Sequence, residues 1–211
     1  AGHPDVRLRP GDAAELASLP ASAKLRVIER GPSRDTDGDG IDDALDILIG
    51  GKKTALEASP YIGGYRQLAF PMGDMPRDQG VCTDVVVRAL RNAGIDLQAE
   101  LNRDIRRRRR AYPMIKKAPD ANIDHRRVKT LLPYFVAHWQ EVSAQPWQPG
   151  DVVFMDTFAD RPGPDHIGIA SNQRGPSGQP LIINSWTDGT VTSEMDLLPF
   201  VPVTHRFRPR S

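Results

Sequence analysis

Cys82 is the only cysteine of the 211-residue chain. A single thiol cannot close an internal disulfide, so it is a buried spectator, half of an intermolecular bridge or a nucleophile. The segment CTDVVVRALRN that begins there carries Val85, Val86, Ala89 and Leu90 on one helical face, with Gly94 as a stop. Cys82 is therefore expected at a helix N-terminus, where free N–H groups and the helix dipole favour the thiolate. A thiol also needs a base. Among five histidines, His3 lies in a tail, His125 in a loop, His138 beside Trp139 and His205 near the C-terminus, whereas His166 opens the alternating segment HIGIAS. The next apolar segment, LIIN, ends in Asn184, which can orient an imidazole if the two strands form a hairpin. On spacing alone, a buried helix cysteine and a surface histidine fit equally well, because free cysteine is among the most buried residues.

A second constellation is DTDGDGIDDALD, which places Asp35, Asp37 and Asp39 at alternate positions, Gly40 at the sixth, Ile41 at the seventh, Asp43 at the ninth and Asp46 at the twelfth. This is the ligand spacing of an EF-hand calcium loop, with Asp in place of the terminal Glu. Calcium takes about six to eight oxygens, and glycine permits the sharp turn that gathers carboxylates round one point. A solvated acidic turn requires neither the glycine nor the twelfth-position Asp. With no second loop beside it, the expected role is a structural Ca2+ staple. The loop resembles the single calcium-binding repeats of bacterial surface proteins, such as dockerin and thrombospondin-type repeats.

The elements that must position these groups read as helices first and strands afterwards. Gly11 to Arg30 has helical composition interrupted at Pro20, which predicts two short helices. IDDALDILIGG predicts a helix stopping at Gly50-Gly51. Tyr61 to Gly80 is too rich in breakers for regular structure. Leu97 to Lys117 predicts a very basic helix closed by Pro113, and Val128 to Trp139 a helix or a strand, Pro133 leaving the choice open. QPGDVVFMDT, DHIGIASN, PLIINSW and VTHRFRP are short β-branched runs separated by turn residues, the pattern of successive antiparallel strands. The order predicts an α+β fold, with residues 1–55 as a helical extension bearing the calcium loop and 56–211 as the catalytic domain.

The 28 basic and 27 acidic residues nearly cancel, so net charge offers no reason to expect nucleic acid as a partner. The run Arg106 to Arg110 lacks the interleaved aromatics that stacking on bases requires and reads as a solvated basic helix face, contact with anionic wall polymers or lipid headgroups remaining open. No apolar run reaches the roughly 18–20 residues of a transmembrane segment. The opening Ala-Gly-His-Pro reads as a processed start, which predicts a secreted or periplasmic protein.

GVCTDVVVRALRNAGIDL, NIDHRRV, QPGDVVF, DHIGIAS and PLIIN together resemble the family numbered 1287 among domains of unknown function, over about Tyr61 to Phe207. That family is similar to the NlpC-type cell-wall peptidases of the papain-like superfamily. The resemblance implies a helix bearing the nucleophile packed on an antiparallel sheet, with Cys82, His166 and Asn184 as the triad. It implies hydrolysis of an amide in peptidoglycan peptides through a thioacyl intermediate. Tyr61 or Tyr65 resembles the upstream tyrosine that assists the oxyanion. Val81-Cys82-Thr83-Asp84 departs from the usual Asp-Cys-Ser-Gly, so Asp84 either caps the helix or reaches a substrate amine. Asp124, His125 and Arg126 match a family signature and read first as salt-bridged scaffold. Acyl transfer by the same constellation and a non-catalytic, calcium-stabilised wall-binding module are the alternatives. An antibacterial effector with an immunity partner would use identical chemistry.

Overall fold

The computed structural model describes residues 34–158, 160 and 163–210, so the two helices expected within residues 11–30 lie outside the described residues. Among the described residues, four α-helices precede six strands: α1 (Asp43–Glu57), α2 (Cys82–Asn92), α3 (Leu97–Arg107), α4 (Val128–His138), then β1 (Gln140–Glu141), β2 (Val152–Met155), β3 (His166–Arg174), β4 (Pro180–Asn184), β5 (Ser193–Met195) and β6 (Val203–Arg208). The strands form one antiparallel sheet in the order β1-β6-β2-β3-β4-β5. The fold is α+β. No helix among the described residues is long and apolar enough to cross a membrane.

Strand alternation divides the core in two. Val152, Phe154, Ile167, Ile169, Ile183 and Phe207 face the helices and pack with Val86, Leu90, Leu131 and Phe135. Val153, Met155, Ala170 and Ile182 form the opposite face, covered by Val201, Trp147, Trp186, Leu197 and Leu198. His166 and Asn184 share the parity of this second face, while Cys82 belongs to the helix-side cluster.

The Gly50-Gly51 pair does not stop α1, which runs through it to Glu57 and ends at the left-handed Ala58. These glycines are packing positions. A Cβ on Gly50 would lie 2.7 Å from Asn92 Cβ and 2.8 Å from Ala89 Cα, and one on Gly51 would lie 3.2 Å from Ile183 Cδ1. Close approach seats α1 against both α2 and the sheet. Ile47 and Leu48 accordingly belong to the same core as α2, so the boundary expected at residues 55/56 cuts through a core helix. α3 is shorter than expected, ending at Arg107 and followed by a 3-10 turn at Arg109–Ala111. Asp104 accepts hydrogen bonds from Arg108, Tyr112 and His138 at this point, turning the chain and fixing part of the arginine run as scaffold. Val128–His138 is helical despite Pro133, whose carbonyl is taken by Arg108 Nη2 at 3.2 Å.

Candidate active site

Cys82 is the first residue of α2, behind the extended Val81. Asp84 fixes this helix start: its Oδ2 accepts the Val81 N–H at 2.8 Å, and the carboxylate is gripped by Arg126, Nε to Oδ1 at 2.7 Å and Nη2 to Oδ2 at 3.0 Å. Both side chains are 2% exposed. Arg126 Nη1 also donates to the Gly64 carbonyl at 2.8 Å, tying the glycine-rich loop after Tyr61 to α2. Asp84 is thus a capping residue with its charge already matched, not a free receptor for an amine. Of the signature Asp124-His125-Arg126, the arginine is the scaffold ion pair. Asp124 accepts the Asp120 N–H at 2.7 Å. His125 is buried with Nδ1 unpartnered, and burial pushes its pKa down to about 4.

His166 stands at the start of β3, and its Nε2 lies 3.1 Å from Asn184 Oδ1. The other side of the Asn184 amide settles the ring's tautomer. Nδ2 donates to the Ile182 carbonyl at 3.0 Å, so Oδ1 is the atom facing the ring and Nε2 carries the proton. Nδ1 then holds the basic lone pair. Trp186 meets the imidazole edge-on, ring centres 4.8 Å apart, and confines its rotation. The approach of β3 and β4 that makes this possible depends on Gly168, where a Cβ would meet Ile182 Cγ2 at 2.6 Å and the Ile183 carbonyl at 2.8 Å.

The thiol and the imidazole come to the same end of β3 from its two faces. The Ile167 N–H, next in chain to His166, supports the Cys82 sulfur, as does the Thr83 N–H at the helix start. These groups favour the thiolate, yet burial outweighs them and pushes the thiol up to about 12, with the charges of Asp84 and Asp165 adding to the rise. The expectation of a lowered thiol pKa is corrected: Cys82 is 6% exposed, and desolvation exceeds the effect of the N-terminal N–H groups. Burial also lowers the His166 pKa, opposed by the Asn184 bond and by Asp165. No hydrogen bond joins Sγ to the imidazole among the described residues; the resting pair is a neutral thiol and a neutral ring.

The two tyrosines separate clearly. Tyr61 is bridged to Gly80, just before Cys82, and its N–H donates to the Thr190 carbonyl at 3.0 Å. Burial raises its pKa, and the charges of Asp188 and Asp84 add to the rise, as a Cys82 thiolate would. Tyr65 is 65% exposed and donates to Asp120 Oδ2 at 3.1 Å. Sequence reasoning passed over Asp165, Trp186, Gly168 and the Asp84–Arg126 pair. The run Asp165-His166-Ile167-Gly168 carried a usable signal, an acid beside the candidate base and a glycine two residues on.

In the acidic loop, Asp35, Asp37 and Asp39 bring one carboxylate oxygen each to within 4.8 Å of one another. Asp35 accepts the N–H groups of Gly38 at 2.8 Å and Gly40 at 2.9 Å, and the Gly40 bond leads in lowering its pKa. Asp43 does not join them. It is buried and takes the Thr36 N–H and hydroxyl at 2.7 and 2.8 Å. Asp46 is likewise buried, with Oδ1 accepting from Asn92 Nδ2 at 3.1 Å, so it ties α1 to α2. A calcium ion here would draw on Asp35, Asp37 and Asp39, with the Ile41 carbonyl as the further oxygen of the spacing.

Residues 50–209 match the family described as "Domain of unknown function (DUF1287)". The chain is 39% identical over 146 residues to "Uncharacterized protein YijF" of Escherichia coli (strain K12), covering 65% of this chain and 68% of that protein. No solved structure matches. The acidic loop precedes the matched residues, whereas Cys82, His166 and Asn184 all lie within them.

Proposed function

The chain belongs to the DUF1287 family, and we propose that it is a papain-like, NlpC-type cysteine hydrolase acting on amide bonds of peptidoglycan peptides in the periplasm or outside the cell. The observation that carries this reading is the His166–Asn184 bond, which leaves Nδ1 as the base at the strand end where the Cys82 sulfur meets the Ile167 N–H.

A buried neutral thiol gives its proton up as it attacks. When a substrate carbonyl reaches Sγ, Nδ1 of His166 takes the thiol proton and the S–C bond forms. Asn184 Oδ1 accepts a stronger bond from Nε2–H as the ring becomes cationic. The Cys82 backbone N–H and the Tyr61 hydroxyl are the donors for the oxyanion. Collapse breaks the C–N bond, and the amine leaves with the proton from Nδ1. Water, deprotonated by Nδ1, then splits the thioester and restores the thiol. The Asp35 loop is a calcium staple in this reading: it lies against the α2–α3 turn, where a Cβ on Gly94 would be 2.7 Å from Asp37 Cβ, and it precedes α1, which packs on the nucleophile helix.

Digestion of purified peptidoglycan with wild type and Cys82→Ala, with new termini read by mass spectrometry, tests activity and bond together. New termini from wild type alone are expected. Their absence with folded wild type over a range of wall types would overturn the hydrolase reading.

A further inference from the structure

The charge of the chain is unevenly placed. Residues 103–129 hold eleven lysines and arginines against three acidic residues, and the rest of the chain holds seventeen against 24. None of the three acids answers the exposed cations. Asp104 is buried and taken by Arg108, Tyr112 and His138. Asp124 is buried and accepts the Asp120 N–H, with Arg127 Nη1 at 3.5 Å. Asp120 accepts the Tyr65 hydroxyl at 3.1 Å and the Asn122 N–H at 2.9 Å. Arg107, Arg110, Lys116, Lys117 and Lys129 are exposed and have no acidic partner among the described residues. Folding holds these charges together. Arg109 donates to the carbonyls of both Ile115 and Lys117, which folds that segment back on the 3-10 turn Arg109–Ala111 and keeps the two lysines at the end of α3 where Arg107 and Arg110 stand. Arg108 Nη2 donates to the Pro133 carbonyl at 3.2 Å, on the helix that carries Lys129 one turn earlier. Within the same segment Met114 is 48% exposed. Concentrated like charge destabilises a compact state, and with acids in excess elsewhere in the chain the arrangement calls for an anionic partner.

We propose that the turn after α3, with the unpaired Arg107, Arg110, Lys116 and Lys117 and the exposed Met114 between them in the chain, is a docking surface for a bilayer containing anionic phospholipid. Each lysine or arginine near an anionic headgroup layer gains attraction, and the long stems let the charged ends stay at the phosphates while an apolar side chain among them reaches the acyl boundary. Met114 decides between a bilayer and a soluble polyanion, because a polyanion offers it nothing apolar to enter. Nucleic acid would want stacking aromatics, and the one aromatic residue of this segment, Tyr112, is 1% exposed. The acidic remainder of the chain is repelled by the same surface, which fixes the orientation of the contact. One apolar anchor and a handful of charges give reversible docking rather than insertion. The proposal stands whether or not Cys82 is a nucleophile.

The test is cosedimentation of the full chain with vesicles of phosphatidylglycerol mixed with phosphatidylcholine, against vesicles of phosphatidylcholine alone. Binding to the anionic vesicles only is expected, falling steeply as salt rises from about 0.1 to 0.5 M. Each neutralised cation should weaken it about fivefold, so the quadruple variant Arg107→Gln, Arg110→Gln, Lys116→Gln, Lys117→Gln should bind no better than wild type binds phosphatidylcholine, with a melting temperature unchanged or raised. Met114→Ser, which leaves every charge in place, should weaken binding about threefold to tenfold. Should the quadruple variant fail to fold, Lys116→Gln with Lys117→Gln is read instead, with a loss of about twentyfold expected. Equal binding to the two kinds of vesicle, or undiminished binding by a folded charge variant, overturns the proposal. An unchanged Met114→Ser variant, or tighter binding to soluble polyphosphate or duplex DNA than to the anionic vesicles, overturns it in favour of a polyanion. No step of the assay involves peptidoglycan cleavage, so its failure and that of the hydrolase reading are told apart.

Discussion

Removal of the Arg126 guanidinium should destabilise the fold far more than loss of an ordinary surface charge. In Arg126→Met the aliphatic stem stays, but Asp84 loses bonds of 2.7 and 3.0 Å and the Gly64 carbonyl loses one of 2.8 Å. Hydrogen bonds to charged groups are worth about 1.5–3 kcal/mol each, and a buried charge stripped of its partner costs about 3–5 kcal/mol in total. With both side chains 2% exposed, water cannot take over without opening the helix start, so the upper part of that range applies. Equilibrium urea unfolding at neutral pH measures it. The diagnostic step is adding Asp84→Asn to Arg126→Met: the amide still accepts the Val81 N–H but carries no charge, so about 1–3 kcal/mol should return. A loss below about 1 kcal/mol in Arg126→Met, or no recovery in the double variant, would refute the claim that this pair is the buried clamp of the α2 start.

Gly50→Ala should cost about 1–3 kcal/mol by overpacking, since its Cβ would meet α2 backbone at 2.8 Å, while Gly51→Ala should be much milder because it meets flexible isoleucine tips at 3.2 and 3.3 Å. Thermal melts compare the two, and equal costs would contradict the packing role assigned to Gly50. His125 has a folded pKa of about 4 against an ordinary 6.5. The unfolded chain therefore binds a proton that the folded one refuses, and stability should fall by about 3 kcal/mol as pH drops from about 6.5 to 4. His125→Leu should flatten that part of the stability profile, and an unchanged slope would count against a neutral buried ring. EGTA should lower the melting temperature of the full chain, with Asp37→Asn abolishing the EGTA response; a melt indifferent to EGTA would dismiss the calcium staple.

What could be read from sequence follows the reach of each signal. α2 was legible to the residue because its apolar face and Gly94 are local, and β2, β3, β4 and β6 showed their β-branched runs. β1 and β5 have two and three residues with no buried alternation, too little for a period. Gly50-Gly51 misled because glycine marks both a helix end and a close helix crossing, and only the partner, Ala89 and Asn92 on α2, distinguishes them. The Asp84–Arg126 pair joins residues 42 apart, and the choice between Tyr61 and Tyr65 depends on which loop end bridges to Gly80. Asp43 shows the same limit from the other side: the EF-hand spacing holds in the sequence, but Thr36 takes both carboxylate oxygens once the loop is folded.

The thiol is where local and non-local forces oppose each other most directly. A helix N-terminus predicts a lowered pKa, and the Thr83 and Ile167 N–H groups do act that way, yet burial wins and leaves the thiol at about 12. His166 is pushed below its ordinary 6.5 by the same burial. Both shifts run in the sense that disfavours a resting thiolate–imidazolium pair. For the hydrolase proposed above, attack by Cys82 would then be conditional on a carbonyl arriving to receive the sulfur's charge, with Tyr61 and the Cys82 N–H as the proposed oxyanion donors. A thiol held in this state offers little thiolate to oxidants or stray electrophiles. In that reading the demand falls on the group that receives the proton, so the Nε2 tautomer fixed by Asn184, which keeps Nδ1 free as the base, matters more than in a site that stores a ready thiolate.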